Sequence, residues 1–244
     1  MIKLPSILEM LQSGVHFGHQ VSRRHPKMDP YIFGERNGVH VIDLEKTRAK
    51  LEEVLAAIQK MAAEGKVILF ASTKPQAREI VKQAAIDCGM PYLVERWLGG
   101  LITNFSEIKK LIQKYNTMKE ERASGEWEKY TKKEQIEFAK KLENMHGTLS
   151  GLSGLTKLPD ALFIPSLQRE KTAVTEANRM NVAVIGVADT NANPRKATLV
   201  IPANDDAVNA IKMIVGLVAE AIKAGRVEWE KTKVIGAIEH KITK

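Results

Sequence analysis

The chain has 244 residues, of which 44% are hydrophobic and 5% aromatic, and its formal net charge is +8. This length suits one large domain, or one domain with an insertion, and the hydrophobic content is sufficient for a core. The surplus of positive charge favours a polyanionic partner, either nucleic acid or an anionic membrane surface.

Membrane-spanning and disulfide-rich proteins are disfavoured by the same composition. No apolar run approaches the roughly 18 residues of a membrane span, and we find no secretion-signal pattern in the first residues. Cys88 is the only cysteine, so an internal disulfide and a thiolate metal cluster are excluded. It lies on an apolar helical stripe, which predicts a buried thiol in a reducing, intracellular compartment.

The segment from residue 14 to residue 47 reads GVHFGHQVSRRHPKMDPYIFGERNGVHVIDLEKT. It contains four histidines, a basic cluster and five glycine or proline residues after its first glycine. Its few apolar residues could serve two regular elements, and most of its polar groups must find partners outside a core. We expect GVHFGHQ to pack against the end of a sheet and SRRHPK to project from that base.

From Leu44 onward, short apolar runs alternate with helical periodicity. Asp43 is placed to cap the first helix, which Gly65 ends. Further helical patterns cover residues 77–88, 171–179 and 204–223. The apolar runs, typical of strands buried on both faces, are residues 67–72, 92–95, 161–165, 183–189 and 198–203. The alternation predicts an α/β fold, namely a flavodoxin-like or Rossmann-like parallel sheet with helices on both faces.

One segment, residues 103–150, has no strand pattern. Apolar residues recur at helical spacing in both of its halves, at Ile108, Leu111, Tyr115 and Met118 and at Phe138, Leu142, Met145 and Leu149. A turn-like break, SGEWEKYTKK, separates the halves, which predicts an inserted antiparallel coiled-coil helical hairpin. The expected organisation is therefore a discontinuous α/β domain of residues 1–102 and 151–227, the hairpin 103–150, and a basic C-terminal tail 228–244.

Enzymatic motifs are missing from the turns where they would have to occur. No turn between a strand and a helix carries G-x-G-x-x-G, and neither a P-loop nor a G-x-S-x-G elbow is present. A nucleotide- or phosphate-ligand enzyme on a flavodoxin-like sheet is thus the weaker alternative. A protein-interaction adaptor that works through the hairpin is a third interpretation.

A metal site is one interpretation of the histidines near the N-terminus. His16 and His19 form an H-x-x-H pair, and Asp189 and Asp205 follow strands where a loop carrying the pair could approach. Two imidazoles and two carboxylates are suitable ligands for a structural zinc or magnesium ion, although no cofactor is required. Asp205 or its neighbour Asp206 could instead cap the last helix.

Basic residues concentrate in loops that contain glycine and proline, where the side chains of arginine and lysine can reach phosphate groups. The few aromatic residues favour recognition of folded RNA by shape and phosphate over the reading of single strands. The tail adds Lys223, Arg226, Lys231, Lys233, Lys241 and Lys244. The candidate RNA-binding residues in the body are Arg23, Arg24, His25, Lys27, Arg36, Lys74, Arg78, Arg96, Trp97, Thr103 and Asn104.

Several blocks of sequence resemble one known family in order and spacing. These are GVHFGH, PKMDPYIFGERNGVHVIDLEKT, RWLGGLITN, LPDALFIP, GVADTNANP and IPANDDA, and the resemblance covers essentially Leu8 to Gly225. The pattern is similar to that of the second protein of the small ribosomal subunit in bacteria and organelles. SLQREK at 166–171 and NPRK at 193–196 depart from the family pattern, and both departures add positive charge.

The resemblance implies a non-enzymatic α/β protein with a hairpin insertion. It implies binding of small-subunit ribosomal RNA and docking of neighbouring ribosomal proteins, including the large messenger-binding first protein of the series. Residues 14–27 and 96–104 would then face RNA or protein. We therefore expect a structural protein that supports assembly and translation on a cytoplasmic or organellar ribosome, with no membrane partner and no small-molecule substrate.

Overall fold

The central element of the fold is a five-stranded parallel sheet. The structure is a computed structural model that describes residues 3–242, with side chains through residue 233. The strands of the sheet are β4 (Ile68–Ala71), β5 (Tyr92–Leu93), β6 (Ala161–Ile164), β7 (Ala183–Ala188) and β8 (Leu199–Pro202). They lie in the order β5-β4-β6-β7-β8, and every neighbouring pair is parallel. Counted along the chain, this is the order 2-1-3-4-5 of flavodoxin-like sheets, so the predicted fold class is confirmed.

The sheet is buried on both faces because its strands are apolar at every position. Along β4, Ile68 and Phe70 face one hydrophobic cluster, whereas Leu69 and Ala71 face a second cluster on the other side. Helices α2 (Leu44–Ala63), α3 (Pro75–Cys88) and α7 (Val208–Ile242) cover the first face. Helix α6 (Lys171–Arg179) and the base of the hairpin cover the second.

A three-stranded antiparallel sheet near the N-terminus was not predicted. It follows the short helix α1 (Ile7–Gln12) and consists of β1 (Phe17–Gln20), β2 (Ile32–Arg36) and β3 (Val39–Ile42), in the order β1-β3-β2. Asn37 and Gly38 both have positive φ between β2 and β3, the conformation that favours an Asn-Gly pair in tight hairpins. Two 3-10 turns, Val21–Arg23 and Pro26–Tyr31, connect β1 to β2 and carry the basic cluster.

The insertion forms the predicted helical hairpin, with α4 (Phe105–Ala123) and α5 (Lys132–Leu149) packed against each other. Tyr115 is buried between them, and its hydroxyl lies 2.7 Å from Nδ1 of His146. The predicted apolar stripe is wrong at one position, because Leu111 is exposed and Ile112 is buried in its place. The helix thus takes a four-residue step from Ile108, which keeps the stripe facing α5.

The last helix is longer than predicted. The sequence pattern suggested an end near Lys223, but α7 continues to Ile242. Gly225 does not end the helix; it lets α7 approach α2, since a side chain there would meet the Gln59 carbonyl. The side chains of Lys241 and Lys244 lie outside the described part of the chain, so their expected phosphate contacts remain predictions.

Two further expectations concern burial. Cys88 is buried as predicted, and burial raises the pKa of its thiol to about 11, so it is not a thiolate nucleophile at neutral pH. No helix among residues 3–242 combines the length and the apolar character needed to cross a membrane.

The loop between β5 and α4 is fixed by one buried carboxylate. Glu176 of α6 accepts hydrogen bonds from the Trp97 indole at 3.0 Å and from the backbone N–H groups of residues 100, 102 and 103 at 2.9, 3.2 and 3.3 Å. The Thr103 hydroxyl adds a fifth bond at 3.2 Å. Burial acts to raise the pKa of Glu176, yet these donors together hold it below its usual value.

We expect Glu176→Gln to lower the free energy of unfolding by about 2–3 kcal/mol, because the amide would direct a donor toward other donors. Since the folded-state pKa of Glu176 is lowered, its contribution is present above the unfolded-state pKa and is lost as pH falls through the folded-state value. Urea unfolding at pH 7 and at pH 3.5 measures both effects. Glu137→Gln, at an exposed position on α5, is the matched control. Equal stability of the two variants at pH 7 would contradict this role.

Candidate nucleic-acid interface

The loops that follow the five parallel strands meet at one edge of the sheet, which we call the carboxyl edge. In sheets of this order, ligand sites lie where neighbouring strands connect in opposite directions, here between β4 and β6. The N-terminal segment joins this edge, since the His19 backbone N–H donates to the Thr190 hydroxyl at 2.9 Å. The His25 N–H donates to the Thr190 carbonyl at 2.8 Å, which attaches residues 21–27, the basic turn, to the end of β7.

Three aspartates at the carboxyl edge are paired with one histidine and one lysine. The His19 imidazole lies 3.1 Å from Asp189 through Nδ1 and 3.2 Å from Asp206 through Nε2. The Lys74 ammonium lies 2.8 Å from Asp205 and 2.7 Å from Asp206. Asp189 and Asp205 are buried, so this pairing removes much of the energetic cost of enclosing their charges.

The protonation of this cluster follows from its geometry. The Asp189 carboxylate is the main reason that the pKa of His19 is raised, and its effect exceeds the opposing effect of burial. Burial and the neighbouring charge of Asp189 raise the pKa of Asp205, while Lys74 and Ser166 act in the other direction. The Ser166 hydroxyl donates to the Asp205 carboxylate at 2.6 Å. The cluster thus favours a charged His19 over a neutral one.

The donor atoms of the cluster could also hold a cation. Ligand atoms of His19, Asp189, Asp205 and Asp206 all lie within 4.8 Å of one another, a set of types that suits zinc or magnesium. The Lys74 ammonium already bridges two of these carboxylates, so the set fits a metal only if Lys74 moves aside. His16, expected among the ligands, does not belong to the group; its ring packs on Phe17 with centroids 4.0 Å apart.

Four expected RNA-binding residues have intramolecular partners. Lys74 is committed to Asp205 and Asp206, and only 12% of its side chain is exposed. Arg78 lies 3.4 Å from Glu95 and also donates to the Thr73 carbonyl. The indole of Trp97 and the hydroxyl of Thr103 both donate to Glu176. Lys74, Trp97 and Thr103 position the loops, and their donors are not free for a phosphate group. The pair of Arg78 with Glu95 is exposed, so Arg78 is only partly engaged.

The remaining candidates lie on the surface around the carboxyl edge or on the antiparallel sheet. Arg23 and Lys27 are exposed, while Arg24 is exposed but pairs with Asp29 at 3.0 Å. His25 is half-buried and accepts the Lys27 N–H at its ring nitrogen. The exposed residues outside this turn are Arg36 at the end of β2 and Arg96 and Asn104 in the loop before α4.

The structure brings further cations to the same edge that were not among the predicted site residues. Arg169 lies between β6 and α6, Lys171 is the first residue of α6, and Arg195 and Lys196 lie between β7 and β8. All four are exposed. The signal available in the sequence was the added positive charge of SLQREK and NPRK. Glu176 gave no signal, because an acidic residue in a short helix is most often a surface charge.

We expect His19→Gln to lower the free energy of unfolding by about 1–3 kcal/mol at pH 5.5, because the variant loses a charged partner of Asp189. The folded-state pKa of His19 is raised, so its stabilisation is fully present below the unfolded-state pKa and declines as pH rises through the folded-state value. The difference from wild type should therefore be smaller at pH 8.5. Thermal unfolding at both pH values measures it.

The control for this pH dependence is His146→Gln on the hairpin, whose described side-chain contact is with Tyr115. A difference between wild type and His19→Gln that grows toward pH 8.5 would contradict the assignment of charge.

Comparisons with known proteins show the family of this chain. A family model described as ribosomal protein S2 matches residues 10–225. "Small ribosomal subunit protein uS2" of Parabacteroides distasonis is 42% identical over 226 residues, which are 93% of this chain and 81% of the relative. The protein of the same name from Dictyoglomus thermophilum is 44% identical over 223 residues, which are 91% of each chain. The chain therefore belongs to the ribosomal protein S2 family, whose members are structural proteins and not enzymes.

Proposed function

We propose that this protein binds small-subunit ribosomal RNA through phosphate contacts at its carboxyl edge. The observation that carries the proposal is the division of charge there. The exposed acidic residues of the edge, Asp29, Glu95 and Asp206, are each paired with a cation. Among the described side chains, a larger set of exposed cations has no carboxylate within ion-pair distance, namely Arg23, Lys27, Arg96, Arg169, Lys171, Arg195 and Lys196.

The proposed mechanism is the presentation of these cations on rigid loops. Hydrogen bonds to Thr190 hold the basic turn, and Glu176 holds the loop that carries Arg96. Preorganised cations lose little conformational freedom on binding, and each phosphate they neutralise releases condensed counterions. The α/β body would thereby fix the distance between RNA segments during assembly of the cytoplasmic ribosome.

The hairpin is the proposed docking element for neighbouring ribosomal proteins. Near its tip, Trp127, Tyr130 and Phe138 line a cleft of about 340 Å³, and the rings of Tyr130 and Phe138 lie 5.1 Å apart. Ile136 is exposed on α5, the helix that carries Phe138. Aromatic side chains on an exposed element favour protein contacts, and the first protein of the small-subunit series is the partner we propose there.

The RNA-binding proposal predicts the effect of removing the basic turn. Replacing Arg23, Arg24 and Lys27 with Gln should weaken binding to small-subunit ribosomal RNA, and the slope of log K against log salt should fall by roughly one per lost phosphate contact. Filter binding over a range of salt concentrations measures both quantities. The matched control replaces Lys60, Lys119 and Lys133, three exposed cations at the far end of α2 and on the hairpin. If the two triple variants lose RNA affinity equally, the loss depends only on net charge, and the proposed contact surface is contradicted.

We propose further that no metal is required at the aspartate cluster, because the Lys74 ammonium occupies the position between Asp205 and Asp206. Lys74→Met should then bind zinc at least about tenfold more tightly than wild type, since it removes a competing cation from a compatible ligand set. Isothermal titration calorimetry with zinc measures the ratio. Lys82→Met on α3 is the control. Tighter zinc binding by wild type than by Lys74→Met would refute the competition.

A further inference from the structure

A pocket of about 320 Å³ opens at the carboxyl edge between β4 and β6. This is the position at which sheets of the order 2-1-3-4-5 place their ligands. Three arginines line it, namely Arg78 from α3, Arg96 from the loop before α4, and Arg169 from the loop before α6. Three separate segments of the chain therefore direct guanidinium-bearing residues to one concave site.

Two of these arginines are available to a ligand. Arg96 and Arg169 are exposed, and neither has a carboxylate within ion-pair distance among the described side chains. Arg78 is partly engaged, because it lies 3.4 Å from Glu95, and a pair this exposed is worth little in water. Guanidinium groups match the geometry of phosphate oxygens and bind them through two parallel hydrogen bonds.

The neutral walls of the pocket are fixed or polar. Thr73 is held by Glu170, whose carboxylate accepts from the Thr73 hydroxyl at 2.7 Å. Trp97 is held by Glu176, so its ring has a defined position beside Arg96. Thr172 is exposed in the first turn of α6. The residue before this helix, Glu170, makes no side-chain hydrogen bond to the backbone N–H groups of that turn. A donor-rich helix start thus borders the arginines.

The charge of the pocket selects among phosphate ligands. Three arginines face two carboxylates, Glu95 and Glu170, which leaves one net positive charge. A phosphodiester carries one negative charge, whereas a terminal phosphate monoester carries nearly two at neutral pH. A monoester would leave uncompensated negative charge beside the carboxylate of Glu170. The balance therefore favours a backbone phosphodiester.

We propose that this pocket binds a single phosphodiester of the RNA backbone, held by Arg96 and Arg169 with Arg78 in support. The inference rests on the proposed function and adds a discrete site to it, including Arg169, which was not among the predicted RNA-binding residues. The site anchors one defined phosphate, and the cations of the basic turn contact the backbone beyond it.

The first test uses the full-length protein labelled with nitrogen-15 in arginine. The diester ApA should shift the side-chain Nε–Hε signals of Arg96 and Arg169, and AMP should shift them less at equal concentration. Absence of any shift with ApA would overturn the proposal. Because the measurement uses the wild-type protein, misfolding of a variant cannot explain such a result. Stronger shifts with AMP than with ApA would overturn the assignment to a diester.

The second test measures RNA affinity in the double variant Arg96→Gln, Arg169→Gln. We expect about a tenfold loss of affinity for small-subunit ribosomal RNA and a salt slope lower by roughly one. The double variant Lys60→Gln, Lys119→Gln removes the same charge from α2 and α4 and should keep its affinity. An unchanged melting temperature excludes misfolding of either variant.

The outcomes separate this site from the proposed function. If the arginine double variant binds RNA like wild type while loss of Arg23, Arg24 and Lys27 weakens binding, the pocket is refuted and RNA binding stands. If wild type binds ApA in the pocket but does not bind ribosomal RNA, the proposed function falls and the phosphodiester site stands.

Discussion

Buried carboxylates at the carboxyl edge hold the loops of this protein in place. Asp189 and Asp205 are enclosed at the ends of β7 and β8, while Glu170 and Glu176 are buried at the start and in the middle of α6. An enclosed carboxylate is unfavourable unless donors or cations surround it. The loops supply those partners, so the requirement to satisfy four acidic groups determines where the loops lie.

This constraint divides the basic residues into two populations. Lys74 and His19 form ion pairs with the aspartates and are not available to a partner. Arg96, Arg169 and their neighbours are left on the surface of loops that the acidic groups have already ordered. The acidic residues thus act indirectly on the interface, since they fix the backbone from which the free cations extend. In a chain with the same net charge but without these carboxylates, the loops would be less ordered before binding. Such a chain would lose more conformational entropy on binding RNA.

The sheet could be predicted from the sequence because each of its strands is a local apolar run, as in ILFA of β4. The hairpin could be predicted because apolar residues recur at helical spacing in both of its helices. Only one position differs, since Ile112 is buried in place of Leu111. The antiparallel sheet was not predicted although Asn37-Gly38 is a hairpin signal. Strand β2 is largely exposed, and β3 places a histidine, His40, at a buried position, so neither strand shows a clear apolar alternation.

Predictions about the site failed where a partner is distant in sequence. Lys74 looks like a free cation at a helix start, and only the fold shows that Asp205, 131 residues away, is its partner. Glu176 and Trp97 are separated by 79 residues, so their bond has no local signature. The exposed residues of the basic turn could be identified because proline and glycine mark that loop in the sequence itself.

The long last helix has a consequence for how the chain folds during synthesis. Helix α7 packs on α2 and α3, Arg226 donates to the carbonyl groups of Cys88 and Gly89, and Trp229 lies against Gly65. One face of the sheet is therefore completed only by residues that are synthesised well after α2 and α3, the other helices of that face. Until α7 emerges, Ile58 and Val81 stay without part of their cover. A nascent chain halted before residue 208 should consequently behave as a substrate for chaperones, with its apolar sheet face open to water.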